Sequence, residues 1–188
     1  MIDCILGFLL SLFTMTTIIR QPQASDIIQL TEIYNYYICN TPITFDLEPY
    51  TVEKRTQEWF KHYSNTGRYR LLVAQENDVI VGYATSSQFL AKAAYETSVE
   101  TSIYLQPSAT GKGLGCQLYT ALFEALSSED IHRAYAGITL PNPVSIGFHQ
   151  KFGFSRVGIY REVGRKFNQY WDVEWLEKCL SELNETER

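Results

Sequence analysis

The chain of 188 residues carries no apolar run long enough to cross a bilayer. The nearest candidate, residues 4–13 (CILGFLLSLF), falls well short of the roughly 20 residues a spanning helix needs. Asp3 precedes it, Lys and Arg do not, and no convincing small-x-small cleavage pattern follows, which argues against an export signal. A basic run is also missing. With 16 Lys and Arg against 21 Asp and Glu, the net charge of −5 excludes a general nucleic-acid binder, which must neutralise phosphates. Cysteine is scarce and scattered. Cys4, Cys39, Cys116 and Cys179 form no CxxC pair, so neither a zinc site nor a disulfide framework is expected, and no metal is implied. Free thiols and the lack of an export signal point to the cytoplasm, with no stable membrane insertion. Repeats and low-complexity linkers are absent as well.

What is present fits one globular domain: 45% of the residues are hydrophobic and 20% charged. A strand begins just after Met15, so the domain is expected over residues 15–180. Residues 1–14 then form an apolar extension, from an upstream start or serving as a weak membrane-surface anchor, and residues 181–188 a charged tail. The sequon Asn184-Glu185-Thr186 would matter only in a secreted chain.

Periodicity predicts alternating elements. Thr17 to Arg20 reads as a short strand, and Ser25 as the N-cap of a helix with Asp26 in its first turn and Ile27, Leu30, Ile33 and Tyr34 at helical spacing. Residues 51–63 predict a second helix that packs through Trp59, Phe60 and Tyr63. LLVAQE and VIVGYATSSQF, joined at Asn77-Asp78, read as a hairpin, with YETSVETSIYL as another long strand. AYAGITL is a further strand, PVSIGFHQKFG a helix closed by Gly153, and FSRVGIYREVG with QYWDVEWL a final strand pair. The pattern predicts an α/β sheet with helices packed around it.

GKGLGCQLYTALFEAL, from Gly111, sets three alternating glycines at the mouth of a helix whose Leu114, Leu118, Leu122 and Leu126 recur every fourth residue. A P-loop needs Ser or Thr after Gly-Lys, but Gly113 follows Lys112. The dinucleotide fingerprint needs two residues between its second and third glycines, and these glycines strictly alternate. What remains is a bare backbone at a helix N-terminus, where unpaired N–H groups and the helix dipole suit a pyrophosphate. Gly113 and Gly115 would remove the Cβ atoms that block its approach. A glycine-rich turn before a core helix accounts for the same residues.

This loop, with the strand before it, the helix after it and Asn142, His149 and Gly153-Phe154 beyond, resembles the acyl-CoA pyrophosphate loop of the GNAT N-acetyltransferases, whose motif is Q/R-x-x-G-x-G/A. VETSIYL, LPNPVSIGFHQKFGF and IYREVGRKF, with ITFDLEP and EIYN upstream, are similar to the phosphinothricin N-acetyltransferase subfamily. The resemblance covers residues 17–176. It implies the GNAT fold, a mixed and mostly antiparallel central β-sheet flanked by α-helices, with acetyl-CoA as co-substrate and direct transfer to the primary amine of a small amino acid-like acceptor of the phosphinothricin, methionine sulfoximine or methionine sulfone type. A homodimer is implied by the subfamily alone. Thr110 stands where the family has Gln or Arg, which shifts phosphate binding toward Lys112 and the amides of Gly111, Gly113, Leu114, Gly115 and Cys116.

Acetyl transfer to an amine needs a neutral nitrogen, so a base must accept a proton. The resemblance puts the catalytic glutamate at Glu100; by itself, the residue also reads as an exposed glutamate on a two-faced strand. On the same strand, Ile103, Tyr104 and Leu105 would run along acetyl-CoA, with the amide of Tyr104 or Leu105 donating to the thioester oxygen. His149 would assist the leaving thiolate as donor or hydrogen-bond partner, and Asn142 would cap its helix or contact pantetheine. Cys116 reads as a small packing residue rather than a nucleophile, since direct transfer forms no acyl-enzyme. His62 and His132 read as surface residues.

Of the aromatic residues Tyr34, Phe45, Tyr83, Phe89, Tyr95, Tyr160 and Trp171, most read as core, and Phe45 and Tyr83 stand out as acceptor contacts. The subfamily usually carries two basic residues in the segment matching Phe89 to Lys92. Here Lys92 keeps the second, but Leu90 replaces the first, so one acidic head of the acceptor lacks its expected partner. Arg161, Arg165 and Lys166 are alternative cations. Acetylation of protein N-termini or other amines, or acyl-CoA binding without catalysis, are the competing readings.

Overall fold

The computed structural model describes residues 17–181. Expectations for residues 1–14, Met15, Cys4 and the Asn184 sequon lie outside the described residues. Seven strands, β1 (Thr17–Arg20), β2 (Leu71–Glu76), β3 (Val79–Gln88), β4 (Ser98–Leu105), β5 (Arg133–Thr139), β6 (Ser155–Lys166) and β7 (Gln169–Cys179), form one sheet in the order β1-β2-β3-β4-β5-β7-β6. Only β4 and β5 pair in parallel. The sheet is therefore mixed and mostly antiparallel.

Helices cover both faces. On one, α1 (Ile27–Asn40) and α2 (Val52–Glu58) pack Leu30, Ile33 and Trp59 against Leu71, Val73 and Tyr83. On the other, α3 (Leu114–Leu126) sets Leu118 and Leu122 against Leu72, Ala84 and Val99, and α4 (Pro143–Lys151) packs beside it. Leu114, Leu118, Leu122 and Leu126 are each at most 2% exposed. Burying a leucine side chain contributes about 1.5–3 kcal/mol, which explains how a helix opened by glycines stays docked.

Two helix boundaries differ from the sequence expectation. Ser25 does not cap α1; residues Ala24–Asp26 form a 3₁₀ turn, and Asp26 is drawn inward by Arg20 of β1, whose Nη1 lies 2.7 Å from Oδ2. Thr51 does cap α2, accepting from the Lys54 N–H at 3.2 Å, but the helix stops at Glu58 and a 3₁₀ turn covers Phe60–His62. Trp59 leaves helical geometry at φ −133° and packs edge-on to Tyr83, ring centres 5.5 Å apart, so tertiary packing overrides helical continuation.

Two irregularities shape the site. A register shift between Ala74 and Gln75 adds a residue to β3, so Ile80 and Tyr83 face the same side despite their odd separation. In addition, β4 pairs with β5 only through Ser98–Glu100 and Arg133–Tyr135, although both strands continue. Beyond Glu100 they part and a wedge opens in the sheet.

Candidate active site

Strand alternation divides β4 into two functional faces. Glu100, Ser102 and Tyr104 project to the α1–α2 side, while Ile103 and Leu105 pack toward α3. The Gln106 N–H bonds the Val81 carbonyl of β3 at 2.8 Å. Antiparallel alternation then turns the amides of Ile103 and Leu105 away from β3, toward the wedge. The Leu105 carbonyl, on that side, accepts from the Tyr37 hydroxyl at 2.6 Å. Of the two amides expected from the sequence, Leu105 is the one with this orientation; Tyr104 pairs with Tyr83 of β3.

The wedge continues into a cleft of about 360 Å³ between Ile103, Leu105, the glycine loop, Asn142 and Phe148. Gly111 and Gly113 have φ of +76° and +80°, left-handed values that cost a side chain, and a Cβ on either would point into open space. Gly115 serves differently from the sequence expectation. A Cβ there would lie 3.2 Å from Phe148 Cε2, so this glycine lets α4 close on α3. Gly113 is the N-cap of α3, leaving the first amides, including that of Leu114, free to receive an anion while the Leu114 side chain stays buried. Lys112 is exposed. Cys116 is exposed and lines the cleft instead of filling the core. The Thr110 hydroxyl closes its own turn by donating to the Pro107 carbonyl at 2.9 Å.

At the inner end of the cleft stand Asn142, Ser145 and His149. Asn142 caps α4, its Oδ1 accepting from the Ser145 N–H at 3.0 Å. His149 is buried. Its Nδ1–H donates to the Ser145 carbonyl at 2.8 Å, which makes Nε2 the acceptor of the Tyr119 hydroxyl at 3.0 Å. Burial lowers the ring below the usual histidine range and keeps it neutral near pH 7. Both ring nitrogens are thus engaged, and the Ser145 hydroxyl lies 3.4 Å from Nδ1.

Across β4, Glu100 borders a cavity of about 380 Å³ with Phe45, Tyr104 and Trp175. Burial pushes its carboxyl above the ordinary glutamate range, and no side chain among the described residues hydrogen-bonds that carboxylate. Phe45 is held by Gly164 of β6, where a Cβ would strike its ring. Tyr83 is 1% exposed and borders a neighbouring cavity of about 450 Å³ with Arg55, Trp59 and Tyr104. Tyr34, Ser102 and Tyr104 border both, so the two cavities are neighbours separated by these side chains, with Glu100 on one and Arg55 on the other. Lys92 lies elsewhere, exposed in the loop between β3 and β4 and on the wall of neither cavity. Lys166 is buried and donates to the Thr44 carbonyl at 2.7 Å, while the Arg161 side chain is 81% exposed.

The family model described as "Acetyltransferase (GNAT) domain" matches residues 19–175. This chain belongs to the GNAT acetyltransferases. It is 53% identical to a phosphinothricin N-acetyltransferase of Streptomyces coelicolor over 164 residues, covering 86% of this chain and 95% of that relative. It is 32% identical to an L-methionine sulfoximine/L-methionine sulfone acetyltransferase of Pseudomonas aeruginosa, covering 88% and 96%. A crystal structure of a GNAT superfamily phosphinothricin acetyltransferase from Sinorhizobium meliloti in complex with acetyl-CoA superposes with a TM-score of 0.83 at 30% identity, covering 89% of this chain and 90% of that one. The chain described here is thus a GNAT N-acetyltransferase, with phosphinothricin N-acetyltransferases among its relatives. No helix among its described residues is long and apolar enough to cross a membrane.

Three contributors to this GNAT site were not singled out in the sequence. Tyr37 seals the Leu105 carbonyl, Tyr119 holds His149, and Arg55 borders the largest of the cavities described. Only Arg55 left a readable trace. It stands four residues before Trp59, the helical spacing that stacks side chains on one face, and the two do meet, with the guanidinium 3.9 Å from the indole centre.

Proposed function

We propose that this GNAT enzyme moves the acetyl group of acetyl-CoA directly to the primary amine of a small amino acid-like acceptor of the phosphinothricin, methionine sulfoximine or methionine sulfone type. The observation that carries the reading is the division of β4: an unpartnered, desolvated Glu100 faces an aromatic cavity, while the Leu105 amide turns into the glycine cleft. The residues present fit acetyl-CoA. Left-handed Gly111 and Gly113 leave open space over the α3 N-terminus for phosphates, and the apolar cleft accommodates a pantetheine arm. The names of the Streptomyces and Pseudomonas relatives support the acceptor class.

Acetyl-CoA supplies a thioester whose acyl carbon is open to attack. Glu100, with its raised pKa, accepts the proton that the acceptor ammonium must lose, directly or through one water. The Leu105 N–H donates to the carbonyl oxygen as charge grows there. Asn142 and Ser145 border the inner end of the cleft, where His149, held by buried Tyr119, fixes Ser145 through its carbonyl. The Ser145 hydroxyl there can hydrogen-bond the departing thiolate, which takes its proton from solvent while the acceptor's proton leaves through Glu100. Phe45 and Tyr83 shape the acceptor side; Lys112 and Cys116 border the phosphate and pantetheine side. We assign residues 15–180 to this domain, the enzyme to the cytoplasm and its working form to a homodimer, for which the exposed Tyr160, Val163, Phe167 and Tyr170 of the β6–β7 hairpin offer apolar surface.

The test is thiol release from acetyl-CoA with phosphinothricin, methionine sulfoximine, methionine sulfone and a wider amine panel, using the full chain and Glu100→Gln. Turnover of the first three that collapses in the variant is expected. Tight acetyl-CoA binding without turnover of any of them would overturn the acceptor class.

A further inference from the structure

Arg55 is a buried cation without a carboxylate partner. It is 4% exposed, and no acidic side chain among the described residues forms an ion pair with it. Its guanidinium lies 3.9 Å from the ring centres of both Tyr34 and Trp59, a stacking that fixes the plane of the fork without using its in-plane N–H groups. Of five donors, one makes a long hydrogen bond, Nη2 to the Tyr83 hydroxyl at 3.4 Å, and Nε is fully buried with no acceptor at all. A buried donor left unmatched is costly, and a charged one more so. Arg55 also borders the 450 Å³ cavity that shares Tyr34, Ser102 and Tyr104 with the cavity of Glu100. The acidic groups on that wall are otherwise disposed: Asp46 Oδ2 accepts from the Tyr34 hydroxyl at 2.6 Å, and Glu58 lies at 3.9 Å from Lys54 at the surface. His62 completes the ionisable set.

We infer that Arg55 is the receptor for the acceptor's acidic group, taking a carboxylate or phosphinate on its Nη1–Nη2 end, where Nη1 has no partner, while the acceptor amine reaches toward Glu100. This deepens the acceptor reading given above and rests on it. The aromatic clamp accounts for the choice of arginine: Tyr34 and Trp59 occupy its faces and leave an edge whose geometry matches two oxygens of an oxyanion. It also explains how the site tolerates Leu90, which is exposed and supplies no cation. The acidic head is met from α2 beneath the cavity instead of from the loop after β3.

The experiment compares L-methionine sulfone with 3-(methylsulfonyl)propylamine, the same amine without its carboxylate, on the wild type, Arg55→Met and Arg55→Lys. The wild type is expected to prefer the amino acid, and in Arg55→Met that preference, as a ratio of kcat/KM, falls by about 10- to 100-fold, the range of a hydrogen-bonded charge. Arg55→Lys is expected to retain part of it, having a point charge without the fork. A second readout needs neither turnover nor a variant. Because Trp59 touches the guanidinium and Trp175 borders the Glu100 cavity, methionine sulfone is expected to change wild-type tryptophan emission saturably, and the decarboxylated amine to give a smaller change that needs a higher concentration. A fluorescence response to the amino acid that Arg55→Met loses, with no acetylation of either amine, would uphold Arg55 and remove the acceptor reading. Acetylation of both amines with one ratio in all three proteins, or an equal fluorescence response to both, would overturn Arg55 and leave the acceptor reading standing. Calorimetric binding of acetyl-CoA by each variant checks that it is folded; if Arg55→Met fails that check, the wild-type fluorescence comparison decides.

Discussion

On the α3 side of β4 the site consists of backbone and small or apolar groups: left-handed Gly111 and Gly113, the free amides of the α3 N-terminus, the Leu105 N–H and the walls of Ile103 and Phe148. On the α1–α2 side, the same strand meets long polar and aromatic side chains, with Glu100, Tyr104, Tyr34, Trp59 and Arg55 crowding two neighbouring cavities. The difference fits what the proposed reaction asks each side to hold. Phosphates and an amide-bearing arm are met by repeating backbone donors, which need only a bare chain in the right conformation. A compact acceptor with charges at fixed positions needs individual side chains brought from distant segments.

The sharpest way to break this contrast is Glu100→Gln, which should damage the acceptor side alone. We expect kcat/KM to fall by about 10²–10⁴-fold, the usual contribution of a positioned base, with acetyl-CoA affinity by calorimetry retained. As the proposed base Glu100 must be deprotonated, and burial raises its pKa, so the acid limb of the wild-type kcat/KM profile should lie above the ordinary glutamate range and vanish in the variant. The stability consequence has a definite sign. With a folded pKa above the unfolded one, ionisation favours the unfolded chain as pH rises through that interval, so stability falls there. Above it, Glu100→Gln should melt no lower than the wild type. A variant that melts several degrees lower would make Glu100 a structural residue.

Gly113→Ala probes the other side. Holding alanine in the left-handed region costs about 1–2 kcal/mol, so acetyl-CoA affinity should weaken by roughly 10-fold as the loop relaxes, with little change in the acceptor KM. Asn142→Ala should have the smallest effect, losing the α4 cap at about 0.5–2 kcal/mol, read as a drop in Tm, with a lesser loss of acetyl-CoA affinity than Gly113→Ala. If the order of those two affinities is reversed, a side chain rather than the backbone dominates that side, and the contrast fails.

The alternation of short apolar strands with leucine-spaced helices was readable, and so was every strand of the sheet, because period and turn chemistry are local properties. The glycine loop was readable for the same reason, though the task of Gly115 was not: its neighbour, Phe148, is 33 positions away and reaches it only when α4 docks. Helix ends were lost wherever a group outside the helix intervened, as when Trp59 left α2 for Tyr83 and Asp26 turned to Arg20 on β1. Lys92 drew attention by its place in a family segment, yet the loop carries it outward. Arg55 drew none: its i,i+4 spacing from Trp59 is legible, but nothing near it in sequence tells that Tyr34, from α1, will close its other face.

By itself, then, the sequence determined the α/β order of elements, the bare helix mouth at Gly111 to Gly115 and a carboxylate on the strand leading to it, since each is encoded within a few neighbouring residues. Tertiary structure alone decided that β4 and β5 part after Glu100, that His149 is locked between Tyr119 and Ser145, and that an arginine from α2 lies unpaired beside the acceptor cavity. Those features depend on burial and on partners far off in the chain, such as Tyr119 for His149 and Tyr34 for Arg55, which meet only once the sheet has closed and its two faces are covered.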